Sequence, residues 1–87
     1  MPGWSTAWGV LGPPRLAHTI ATGDVISKEE AGERSKAYLD PVLHAIVDDG
    51  LAWWRGEPAD PRFADLRVRA RTTADAALAV ADAARAL

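Results

Sequence analysis

The chain has 87 residues, a net charge of −2 and no cysteine, which excludes disulfides, zinc–thiolate sites and cysteine nucleophiles. A pI near 5.5 argues against nonspecific nucleic-acid binding, which rests on clustered positive charge. Apolar content of 48% and charge of 25% fit an ordinary soluble chain. No apolar run approaches the roughly 18 residues of a membrane span, and the N-terminus lacks the basic start and apolar core of a signal peptide. The expectation is one cytoplasmic domain over residues 1–87.

Residues 1–12 are ambiguous. Trp4, Trp8 and Leu11 share one helical face, but Gly9 and Gly12 weaken a helix there. Pro13 and Pro14 suit a first helical turn, so the first helix is predicted from them to about Thr22, with Gly23 as its C-terminal cap. Ser27 reads as an N-cap with Glu30 completing a capping box, which starts a second helix to about Leu39. Asp40–Pro41 opens a third helix to about Arg55, stopped by Gly56. Its stripe of Leu43, Ile46, Val47, Gly50, Leu51 and Trp54 follows the helical period. Asp60–Pro61 repeats the start signal before a long last helix, broken near Leu66–Arg67. Its inner face is predicted as Phe63, Leu66, Ala70, Thr73, Ala77, Val80 and Ala84. Four helices with short loops imply an all-α fold, a small antiparallel bundle.

Spacing puts Arg15, His18, Thr19 and Thr22 on one face of the first helix and sends Leu16 and Ile20 inward. Lys28 stands at a helix start, where free N–H groups and the helix dipole attract phosphate. With Arg15 it would make a polyphosphate clamp; the competing reading is a solvated lysine beside Glu29 and Glu30. His18 reads as a partly buried helix residue, and Trp54 as a core residue of its stripe. Trp53 lies off the stripe and is free to line a groove or meet a partner. Asp48 and Asp49 diverge by about 100° and do not form a metal pair. Arg62, Arg67, Arg69 and Arg71 read as a solvated face. No catalytic residue and no metal ligand set is assigned.

Three stretches, LGPPRLAHTIATGDVISKEEAG, LDPVLHAIVDDGLAWWRGE and DPRFADLRVRARTTAD, resemble the C-terminal helical domain of aminoglycoside adenylyltransferases, which inactivate streptomycin and spectinomycin. The first of these is the most specific, and the spacing from Arg15 to Lys28 within it agrees with the family without a gap. The resemblance implies that Arg15 and Lys28 help hold the triphosphate of ATP, used with Mg²⁺. It puts Trp54 where the family has a tyrosine near the nucleotide, and Ser5 and Trp8 where the family binds the drug. Arg34 stands where relatives often carry an aromatic residue. In the family a metal-binding nucleotidyltransferase domain lies N-terminal to this one, and its Gly-Ser and Asp-x-Asp constellation is not found here. The expectation is therefore a detached or truncated substrate- and nucleotide-binding domain of an antibiotic-resistance transferase, inactive alone and completed by a nucleotidyltransferase domain in another chain. The alternatives are a noncatalytic helical interaction module and a degenerate fragment.

Overall fold

The computed structural model describes residues 3–85, and the fold is all-α. Four α-helices are present among the described residues: α1 (Gly3–Thr22), α2 (Lys28–Ser35), α3 (His44–Trp54) and α4 (Leu66–Ala84). Short 3₁₀ turns at Pro41–Leu43 and Pro61–Phe63 precede α3 and α4.

The caps follow from side-chain chemistry. Ser27 accepts a 3.0 Å bond from the Glu30 N–H. Asp40, Asp60 and Asp65 accept from the backbone two residues on, at Val42, Arg62 and Arg67, satisfying donors that a helix start leaves free. Gly23 and Gly56 end α1 and α3 with positive φ, 78° and 74°, a conformation that costs glycine nothing. At Gly56 the Glu57 N–H reaches the Ala52 carbonyl at 2.7 Å and the Gly56 N–H the Trp53 carbonyl at 3.1 Å, the paired closure that satisfies orphan carbonyls.

Several expectations are corrected. Pro13 and Pro14 do not start α1; they lie inside it. Each removes one intrahelical N–H, yet the helix continues because its apolar face packs along its length. Thr6, Ala7, Val10, Leu11 and Pro14 are buried there, at the spacing of one helical stripe. Leu16 and Ile20 point outward, with Ile20 75% exposed, because Ala17 and the buried Pro14 carry that stripe instead. α2 stops at Ser35, and residues 36–38 form a turn before Leu39 enters the core. The Glu30 carboxylate pairs with Arg34 at 2.7 Å rather than closing a capping box. The break before α4 falls at Ala64–Asp65. Within α4, Leu66 and Ala70 are exposed, whereas Arg69 and Ala76 are buried.

α1 packs against all three other helices. Glycines set the close approaches. A Cβ on Gly9 would lie 2.5 Å from the Thr73 methyl, one on Gly32 2.5 Å from Leu11 Cδ2, and one on Gly50 would strike Val10. Gly3 meets Trp53 while Val10 meets Gly50, so α3 runs against α1. Thr6 bonds Arg69 and Gly9 meets Thr73, so α4 runs with it. The core joins Ala7, Val10 and Leu11 of α1 to Ile46, Val47 and Leu51 of α3 and to Phe63, Ala76 and Val80.

Candidate functional site: an ammonium between two indoles

Three of the five residues singled out from sequence converge. Trp8 comes from the first half of α1, Lys28 from the first position of α2 and Trp54 from the last position of α3. The Lys28 ammonium lies 3.0 Å from the centroid of the Trp8 ring and 5.2 Å from that of Trp54. Both rings present their negative π-faces to a cation, an attraction worth about 0.5–1 kcal/mol where exposed and more where water is excluded. Trp54 is thus not the core residue its stripe implied; it is 46% exposed. The α1–α3 crossing lies at Gly50 and its neighbours, and one turn later α3 faces Lys28 instead of core.

Arg15 reaches the same region indirectly. It stands two turns after Trp8 on the same side of α1, roughly 10 Å along the axis. Its Nε donates to the Ile26 carbonyl at 2.9 Å, two residues before Lys28. Arg15 therefore braces the Gly23–Ser27 connection that delivers Lys28. Among the described residues, its two terminal nitrogens bond no protein group. Of the other polar groups expected on this face, the two hydroxyls are occupied: that of Thr19 donates to the Arg15 carbonyl at 3.1 Å and that of Thr22 to the His18 carbonyl at 2.9 Å. Ser5 is half-buried, one turn before Trp8 on α1.

Ion pairs rim the cluster. Glu29, beside Lys28, is held by Arg55 at 2.5 Å, and Arg55 also reaches Glu33 at 3.2 Å. Donating hydrogen bonds to these carboxylates, Glu29 first, raises the pKa of Arg55 above its usual value. Glu29, the carboxylate nearest in sequence to Lys28, thus pairs with Arg55 instead.

Trp53 lies against Gly3, where an added Cβ would sit 2.5 Å from its ring. Its ring centroid is 6.5 Å from that of Trp54, tilted by 45°. Trp4, one turn before Trp8, is also exposed. Four half-exposed tryptophans therefore come from the first half of α1 and the last turn of α3.

Sequence reasoning missed the buried polar cluster. Arg69, 5% exposed, pairs with Asp49, 3% exposed. Arg69 also donates to the Phe63 carbonyl at 3.0 Å and the Thr6 hydroxyl at 2.9 Å, while the Asp60 N–H donates to Asp49 at 2.8 Å. So Arg69 is no member of a solvated face, and its role is to tie α1, α3 and α4 together. Asp48, exposed, pairs with Lys36; the two aspartates diverge as expected.

Among the described residues, no three His, Asp or Glu side chains gather in a way that could hold a metal ion, and no helix is long and apolar enough to cross a membrane. Compared with protein families, curated proteins and solved structures, the chain matches none.

Proposed function

We propose that this chain is a nucleotide-binding helical domain of the aminoglycoside adenylyltransferase type, with Trp8, Lys28 and Trp54 forming the nucleotide site and Arg15 beside it. One observation supports the reading. Residues that the sequence resemblance assigns to nucleotide and drug meet at one point, although they are 20 and 26 residues apart along the chain and come from three helices.

The chemistry suits a nucleoside triphosphate. An ammonium close to the Trp8 indole and farther from that of Trp54 has three protons to offer, and a charge-assisted bond to a phosphate oxygen is among the stronger hydrogen bonds. The start of α2 adds partial positive charge. Indole faces stack on a purine with about 1–3 kcal/mol per base. Aminoglycosides are polycations, so a cluster built around Lys28 favours the nucleotide over the drug, and Ser5 with the open side of Trp8 is left as the drug's contact. The cluster offers no oxygen ligand, so it does not fit Mg²⁺, which demands them. A cytoplasmic setting, where ATP abounds, goes with the proposal.

Tryptophan fluorescence tests it. ATP quenches the emission with an affinity on the order of millimolar, the quenching weakens with salt because exposed charges are screened over about 10 Å at 0.1 M, and Lys28→Ala reduces it without loss of helix. Quenching unchanged in Lys28→Ala would remove the nucleotide site. The exposure of all four tryptophans favours one second reading, a protein-interaction surface. It predicts that the nucleotide has no effect while a partner protein buries these indoles.

A further inference from the structure

A second site lies elsewhere, between the C-terminal half of α1, α2 and the C-terminal end of α4. A half-open cavity of about 270 Å³ is walled there by Pro14, Ala17, Ala21, Ala31 and Ala83, among others. Its cause is legible in the side chains. Alanines on three helices face one another, so the helices are held apart by the core nearer the middle of α1 and leave unfilled space. Unfilled apolar volume costs stability, and an 87-residue chain has little to spare. A cavity of about 150 Å³ with apolar walls suffices for benzene, so this one accommodates one or two fused rings.

The polar groups at the cavity decide what else the ligand carries. His18, Arg34 and Tyr38 complete its lining. Among the described residues, neither the His18 imidazole nor the Tyr38 hydroxyl has a hydrogen-bond partner. Arg34 gives one terminal nitrogen to Glu30 at 2.7 Å and keeps the rest of its five-donor fork. Arg34 and Tyr38 stand half-exposed at the mouth of the chamber, where their donors can exchange water for an acceptor, and the guanidinium geometry favours a carboxylate. From cavity and rim together we infer that this site binds a small aromatic carboxylic acid of one or two rings, ring inward and carboxylate toward Arg34. The site shares no residue with the Trp8–Lys28–Trp54 cluster, so the two stand or fall separately.

Indole-3-acetate is the probe, titrated into the isotope-labelled full chain beside neutral indole and cationic tryptamine. Indole-3-acetate is expected to give saturable amide shifts at Ala17, Ala21, Ala31 and Ala83. Tryptamine binds several-fold more weakly, consistent with a charge-assisted contact. Ala21→Phe, at an exposed position, fills the chamber and abolishes binding while the helical spectrum is kept. Arg34→Gln removes the preference of the acetate over indole, and Lys28→Ala changes nothing. Shifts centred on Trp8 and Lys28, unaltered binding in Ala21→Phe, equal binding of tryptamine, or no saturation at millimolar ligand would each overturn the inference.

Discussion

Arg69 carries the fold's most consequential polar contacts, and its neighbours explain why it is hard to read from sequence. Arg67, Arg69 and Arg71 alternate along one helix, and about 100° per residue turns them to different sides. Which one turns inward is decided by Asp49, twenty residues earlier. A charge pair so buried is weak evidence of net stabilisation, but breaking it leaves an uncompensated charge. Asp49→Ala is therefore expected to cost about 3–5 kcal/mol in urea denaturation, whereas Arg67→Ala, at an exposed position, stays within about 0.5 kcal/mol. Equal losses would mean that the Arg69 cluster is dispensable. Asp60 adds a pH dependence. Hydrogen bonds from Arg62, first from its guanidinium and then from its backbone N–H, hold the Asp60 carboxyl below its ordinary value. A depressed carboxylate adds stability above its unfolded pKa of about 3.9, and that contribution is lost as pH falls through the lower folded value. Asp60→Asn should thus lower stability at neutral pH and flatten its decline below about pH 4; an unchanged acid limb of the curve would contradict this.

At the scale of elements, the capping residues were legible, whereas the start of α1, the end of α2 and the cap of α4 at Asp65 were not. Ser27, Asp40 and Asp60 cap where their chemistry says they should, and Gly23 and Gly56 close α1 and α3. Those signals act within three residues, so a sequence displays them whole. The path of α1 through Pro13–Pro14 was not legible, because local rules end a helix there and only packing against three other helices overrides them. Gly50 makes that packing testable. Alanine is intrinsically about 1 kcal/mol better than glycine inside a helix, yet a Cβ at Gly50 would strike Val10, which is buried and β-branched. Gly50→Ala should destabilise by about 1–3 kcal/mol, the usual cost of overpacking. A gain in thermal midpoint would mean that α1 and α3 are not in close contact.

For the whole molecule, the candidate site was legible as a set of residues and illegible as a geometry. Arg15, Lys28, Trp54 and Trp8 were all singled out, but not the sandwich, since Trp54 was read by its stripe as core and Arg15 as a direct clamp. The stripe fixes a direction around α3, whereas exposure depends on what stands opposite, and there Lys28 stands in place of core. Each of the four tryptophans carries one indole N–H, so the site can be watched signal by signal. The most direct measurement is a two-dimensional NMR titration of the labelled chain with ATP, following the indole resonances. The account predicts that the Trp8 and Trp54 signals shift together and saturably, that Trp4 and Trp53 move less, and that Lys28→Ala reduces the shifts. Equal shifts at all four indoles, or none, would contradict it.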